Sequence, residues 1–341
     1  MYSFINDYSE GAHPRILDAF YKLNLEQNIG YGEDAYSLRA KEAIKAHIKN
    51  NEVDIHFIAG GTQTNLLVVS SFLRPHECVI SVETGHINTH ETGAIEATGH
   101  KVVVVADREG KLTPEHLEKA IKQHTDEHMV KPGMVYISNS TELGTIYTRS
   151  ELMAIRNMCN SHGLILFLDG ARLGSALTCN SNDLWLLDLA QLTDVFTIGG
   201  TKNGALLGEA LVIVKDELKE DFRYLIKQRG AMMAKGFVLG LQFEELFRDN
   251  LYFELASHAN KMAKVIATTI IECGYDFYAR PSTNQLFPIL PNKLLKELSK
   301  EFGFIVIDKL DDNNSVVRLV TSWATSTESV EQLCRFIKEH K

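Results

Sequence analysis

LILFLDGAR, residues 164–172, and DVFTIGGTK, residues 194–202, decide the fold. Each is a short apolar run that ends on small residues and then a charge. Runs of this length, rich in β-branched and aromatic residues, read as strands buried on both faces. The same kind of run recurs outward from them. VDIHFIAG (53–60), CVISVE (78–83), KVVVVAD (101–107) and GMVYISNS (133–140) precede them, and EALVIV (209–214) follows. Amphipathic stretches such as TPEHLEKAIKQH (113–124) and TRSELMAIRNMCNSHG (148–163) lie between. Thr113 ahead of Pro114 predicts a capped helix start with proline at the first helical position. Gly163 predicts a helix C-cap. Strands alternating with helices from about residue 53 to 214 predict an α/β domain with a large, mostly parallel sheet.

After residue 214 the pattern changes. Residues 216–273 read as long helices. NQLFPILP, GFIVIDK and SVVRLVTSW then read as short strands, and a final helix is expected near 327–340. The predicted organisation has three parts. Residues 1–30 form an irregular N-terminal segment packing near the active site. Residues 31–250 form the large domain, and residues 251–341 a small C-terminal α/β domain.

The bulk numbers fit that division. A chain of 341 residues with 45% hydrophobic content exceeds one ordinary core. Formal net charge is −9 with no Lys/Arg block, which leaves nucleic-acid binding without support. The five cysteines are scattered and lack any C-x-x-C pair, which predicts free thiols in a reducing cytoplasm. The first residues show no secretory pattern, and no apolar run is long enough to span a bilayer. A small soluble substrate is expected.

In an open parallel sheet, ligands bind at the carboxyl ends of the strands. Four strand ends carry suitable chemistry. Gly60-Gly61-Thr62 lies between a strand and a helical run, where glycines and free N–H groups can cradle a phosphate. Taken alone, such a triplet is better explained by ordinary turn and cap chemistry, and the dinucleotide pattern G-x-G-x-x-G is absent. Asp169 ends LILFLD, with Arg172 three residues on. A carboxylate there can hold a pyridine nitrogen protonated, or merely cap a turn. Lys202 follows Gly199-Gly200-Thr201, where a partly desolvated amine gains nucleophilicity and glycines leave room for a ring. His86 follows CVISVETG, and its imidazole can stack on a ring or move protons. His86 and His90 stand at i,i+4, but His-Glu-x-x-His is absent and no metal is expected. Arg318 is a charge inside an apolar strand, suited either to an internal ion pair or to a substrate carboxylate. Together these point to pyridoxal 5'-phosphate (PLP), held by Lys202 as a Schiff base.

With these residues in hand, the chain resembles the threonine aldolases, the aldolase branch of the β-eliminating lyase superfamily among fold-type I PLP enzymes. The resemblance runs nearly end to end. Its motifs occur in order: Tyr31-Gly32-Glu33-Asp34, Gly61-Thr62 with Asn65, His86, Asp169-Gly170-Ala171-Arg172, Lys202, and Arg318-Leu319-Val320-Thr321. It implies a fold-type I PLP-dependent transferase-like fold. It also implies roles: Lys202 for the Schiff base, Gly61 and Thr62 for the phosphate, His86 for stacking, Asp169 for the ring nitrogen. Arg172 would serve cofactor and substrate, and Asn6 and Arg318 the substrate. His128 falls where family members have a second active-site histidine, matched by its distance from the next strand. Either His86 or His128 would be the base. The resemblance further implies a homodimer or homotetramer with shared sites, to which Tyr31, Arg229 and Lys235 are the candidates to contribute from a neighbouring subunit.

Three departures stand out. Asn6-Asp7-Tyr8 replaces the usual Ser-Asp-Thr, Ser138-Asn139-Ser140 replaces Glu-Asn-Thr, and Gly230-Ala231-Met232-Met233-Ala234-Lys235 replaces a glycine-rich stretch. The implied reaction is cleavage of L-threonine or L-allo-threonine to glycine and acetaldehyde. A PLP-dependent β-elimination on another amino acid and a non-catalytic PLP-fold binding protein are the alternatives.

Overall fold

The computed structural model describes residues 2–341. In chain order the elements are β1 (Tyr2–Ser3), α1 (Pro14–Leu23), α2 (Ala35–Ile48), β2 (Asp54–Ile58), α3 (Gly61–Phe72), β3 (Glu77–Val82), α4 (His86–Thr89) and β4 (Val102–Val105). Then follow α5 (Pro114–Lys122), β5 (Lys131–Ser138), α6 (Arg149–His162), β6 (Ile165–Asp169), α7 (Leu173–Thr178), α8 (Leu186–Leu192), β7 (Val195–Gly199) and β8 (Glu209–Ile213). The remainder is α9 (Phe222–Gln228), α10 (Phe237–Phe247), α11 (Leu251–Glu272), β9 (Gln285–Leu286), β10 (Ile289–Pro291), α12 (Asn292–Leu298), β11 (Phe302–Gly303), β12 (Ile305–Lys309), β13 (Asn314–Val320) and α13 (Thr327–Glu339).

Seven strands form the central sheet in the order β2-β8-β7-β6-β5-β3-β4. Every apolar run singled out in the sequence contributes one strand. β8 is antiparallel to both its neighbours, β2 and β7, and the other pairs are parallel. This places the carboxyl ends of β2, β3, β5, β6 and β7 on one edge, together with the amino end of β8. Helices cover both faces. Ile55, Ile80, Ile137, Leu168 and Phe196 pack with α2, α6, α8 and α10 on one side. Ile58, Val79, Met134 and Phe167 pack with α3 and α9 on the other.

The local signals act as chemistry predicts. Thr113 accepts the N–H of His116 at the start of α5. Thr148 and Glu151 form a capping box on α6, and Gly163 ends that helix at φ 64°. α11 spans two cores, with Leu251, Tyr252 and Leu255 in the sheet core and Met262, Ile266 and Ile270 in a second one. β10, β13 and β12 form the small antiparallel sheet of that second core, with β9 paired to β13.

The N-terminal thirty residues are more ordered than the sequence suggests. α1 occupies ten of them, with Pro14 at its first position and His13 as cap. β1 pairs with β11, and Phe4 is buried in the second core. Proline and the cap residue signal this helix; the two-residue strand is too short to show periodicity. No helix is long and apolar enough to cross a membrane.

Candidate active site

The carboxyl edge of the sheet gathers polar side chains from distant parts of the chain. Asp169, the last residue of β6, is buried and pairs in register with Ser138 of β5. Its Oδ2 accepts from the Tyr136 hydroxyl (2.6 Å) and Asn65 Nδ2 (3.1 Å), and its Oδ1 from the Ala171 N–H (2.9 Å). Burial favours the neutral acid. The Tyr136 bond, the His86 and Lys202 charges and the Ala171 N–H outweigh it and hold the carboxyl below its usual range. Asp169 is therefore an anion deep in the protein.

β7 ends at Gly199 because a tight approach requires it. A Cβ there would lie 2.2 Å from the Ala171 carbonyl oxygen, and one at Gly170 would lie 2.0 Å from that of Thr197. The close contact packs the Asp169–Arg172 turn onto the segment that leads to Lys202. Lys202 is half-buried, and its ammonium forms no ion pair among the described residues. Its charge is felt by Asp7, Asp169, His90 and Glu209.

α3 begins beside this cluster. Gly60 caps it without any side-chain hydrogen bond. A Cβ at Gly60 or Gly61 would meet nothing within 4 Å, so the helix N-terminus faces open space, with Thr62 exposed beside it. Its N–H groups and dipole suit an anion. His86 opens α4. Its Nδ1 is 2.8 Å from Glu91 Oε1, which also accepts from Asn65 Nδ2 at 2.8 Å. Burial lowers the imidazole's proton affinity, but the carboxylates of Glu91, Glu142 and Asp169 raise it above its ordinary value overall. With Nδ1 committed to Glu91, Nε2 is the nitrogen left for a ligand.

The two arginines differ. Arg172 is half-buried, with its side chain largely enclosed, and gives Nε and Nη2 to the two oxygens of Asp7 at 2.7 and 3.0 Å. Asn284 Nδ2 bonds the same carboxylate at 2.9 Å. Arg318 meets no carboxylate. Its Nη2 reaches only the Ile5 carbonyl at 3.3 Å, and its buried Nε has no partner. Burial and the nearby Arg172 charge lower its proton affinity from the ordinary value. An arginine left this open favours the anion-binding reading over the internal ion pair.

Asn6 Oδ1 accepts from the Tyr8 N–H and the Ser9 hydroxyl at 2.9 Å. Its neighbour Asp7 reaches the site through Arg172. His128 stands apart from this cluster within its own chain. It is exposed, and its N–H bonds Asp126 Oδ1 ahead of β5. The eight residues of β5 then separate it from the carboxyl edge, roughly 25 Å at the usual rise per residue. Tyr31, Arg229 and Lys235 are exposed on the α9 side, outside this cluster. Tyr31 adopts φ 62° and stacks under Lys227 Nζ at 4.7 Å.

Asp7, Glu91, Tyr136, Glu142 and Glu209 belong to the site and escaped the sequence reading. Tyr136 lies within an apolar run and Asp7 in an irregular segment, so neither carries a local signal. Among the described residues no three His, Cys, Asp or Glu side chains are arranged to hold a metal.

The geometry has counterparts in known proteins. A family model described as Beta-eliminating lyase matches residues 6–292. A low specificity L-threonine aldolase of Pseudomonas sp. is 32% identical over 98% of this chain and 96% of its own length. The structure of a Leishmania major threonine aldolase aligns with a TM-score of 0.99 at 50% identity, covering 100% of this chain and 99% of that one. An aspartate aminotransferase of Thermus thermophilus shares the fold at 13% identity, with a TM-score of 0.71 over 97% of this chain and 89% of its own.

Proposed function

The chain belongs to the β-eliminating lyase family of PLP-dependent enzymes, and from that premise we propose that it cleaves the Cα–Cβ bond of L-threonine or L-allo-threonine to give glycine and acetaldehyde. The observation that carries this reading is Lys202. Its unpaired amine stands on the same sheet edge as the buried Asp169 anion and the open N-terminus of α3. These residues fit the cofactor. Asp169 would hold the pyridine nitrogen, the α3 N–H groups with Gly61 and Thr62 the phosphate, His86 a ring face, and Lys202 the aldehyde carbon. Bound there, PLP supplies an electron sink for the pair released at Cα.

The rest is positioning and proton handling. Arg318 offers an unpartnered Nε to the substrate carboxylate. Arg172, fixed by Asp7, adds positive charge beside it. That grip orients the amino acid so that the Cα–Cβ bond is the one to break. His86 Nε2 takes the β-hydroxyl proton, while Glu91 on Nδ1 stabilises the imidazolium that results. Cβ leaves as the aldehyde carbon, and Cα regains a proton to give glycine. The relatives named threonine aldolases support this choice of substrate.

Purified holoenzyme incubated with each threonine diastereomer should release glycine and acetaldehyde in equal amounts. Ammonia with a 2-oxo acid would instead mean elimination and would refute the aldolase reading. A homodimer or homotetramer with shared sites is part of the same reading. The exposed Ile29, Tyr31 and Tyr224, near Arg229 and Lys235, favour contact with a second copy, and light scattering of the eluted protein checks it. Five buried, unpaired cysteines suit the cytoplasm.

A further inference from the structure

Glu209 is a buried carboxyl group that the reaction described above does not use. It opens β8, the reversed strand of the sheet, and that position is unusual. On one side it pairs in register with Gly199, the last residue of β7 before Lys202. On the other it pairs with Ile58, the last residue of β2 before the Gly60-Gly61 turn. Directly opposed residues share a face of the sheet. Glu209 therefore stands between the segment that carries Lys202 and the segment that opens α3, on the face against which the Asp169–Arg172 turn is packed at Gly199.

Its surroundings are uneven. Glu209 is 4% exposed, and its Oε2 has no hydrogen-bond partner. The Thr201 hydroxyl beside it also takes the Gly208 N–H at 3.0 Å. The charges that act on it are Lys202, Asp169 and Arg172, and the Tyr252 phenol on α11 feels its own charge. α10 sets Leu239 and Phe243 against the adjoining Gly208, and its Gln242 bonds Leu206 and Leu207. Burial pushes the carboxyl up to about 8, with the Lys202 charge the strongest influence the other way. Burial thus makes this carboxyl easier to protonate than an ordinary one, while the Lys202 charge draws it toward the carboxylate.

We propose that Glu209 is a positioning residue that sets the protonation state of Lys202. This rests on the reading of Lys202 as the cofactor-bearing lysine. The Glu209 carboxylate stabilises the protonated Lys202 nitrogen through space, and removal of the carboxyl weakens that nitrogen's hold on its proton.

The test is a visible-absorbance titration of the holoenzyme from pH 6 to 10, with Glu209→Gln, Glu209→Ser and Glu209→Asp alongside. Circular dichroism selects the variants that are folded. The band of the Lys202-bound cofactor changes as its nitrogen loses a proton. Without the carboxyl group, in Gln or Ser, that transition should move to lower pH by at least one unit, a tenfold loss of proton affinity. Asp should keep it within half a unit. A transition displaced by less than one unit in the folded Gln or Ser variant overturns the role of Glu209 and leaves Lys202 untouched. An unsubstituted protein loaded with the cofactor that shows no visible band overturns both.

Discussion

The two ends of the central sheet are built to different rules. At the amino end, Asp194 precedes β7 and accepts three hydrogen bonds, from Arg156 at 2.6 and 3.0 Å and from the Leu166 N–H at 2.7 Å. That pair is closed. At the carboxyl end, Asp169 is held by three bonds of its own, yet buried atoms around it lack partners: Asn65 Oδ1, Glu91 Oε2, Asn139 Nδ2, Glu209 Oε2 and Arg318 Nε. Each such group costs about 1–3 kcal/mol when left unmade. The contrast separates two uses of buried polarity. A satisfied network stabilises the fold, whereas an open one keeps its bonding capacity for a ligand.

The contrast predicts that substitutions at the two ends fail in opposite ways. The largest effect is expected at Lys202. Lys202→Ala should lower turnover by more than about a thousandfold and abolish the visible band, with unfolding almost unchanged. A variant that keeps band and turnover would remove the basis of the whole site. At the closed end, Asp194→Ala should leave activity per folded molecule intact but destabilise the chain by about 3–5 kcal/mol in urea, because Arg156 loses its partner. A loss below about 1 kcal/mol would erase the distinction between the ends.

Arg318→Leu probes the open end. The KM for L-threonine should rise about 10- to 100-fold, the worth of a charge-assisted hydrogen bond to the carboxylate. Thermal stability should hold or rise, because a half-buried guanidinium with an orphaned Nε is removed. An unchanged KM would return Arg318 to a structural role. The smallest effect concerns pH. Burial lowers the proton affinity of His86, and Glu91 more than restores it. Glu91→Gln should therefore lower it, and the acidic limb of kcat/KM should move to lower pH. The linkage to stability runs the same way. A histidine raised on folding stabilises the fold fully below its unfolded value, and that contribution fades as pH rises through the raised one. Glu91→Gln should flatten this fall, which thermal melts across the neutral range would detect.

Much of the site was legible because strand ends are legible. Asp169, Lys202 and His86 each follow an apolar run, and a parallel sheet puts such ends on one edge. Arg318 stood out as a charge within an apolar run. The partners of these groups were not legible. Asp7 meets Arg172 across 165 positions of sequence, Tyr136 looks like any other core residue, and Asn65 gains its meaning only by touching both Asp169 and Glu91. His128 carries the converse lesson, since a resemblance fixed its place along the chain, and the fold puts it ahead of the amino end of β5.

The sequence by itself determined the kinds of element, their order and the residues at their ends. Periodicity, caps and glycine turns depend on neighbours a few positions apart. Tertiary structure alone decided that β8 runs against β2 and β7, and so brings Glu209 to the edge that bears Lys202. It also decided which charges are closed, as at Asp194, and which stay open, as at Arg318. Burial and register arise from contacts between distant segments, and the same side chain becomes a strut or a ligand-binding group according to what those contacts leave unsatisfied.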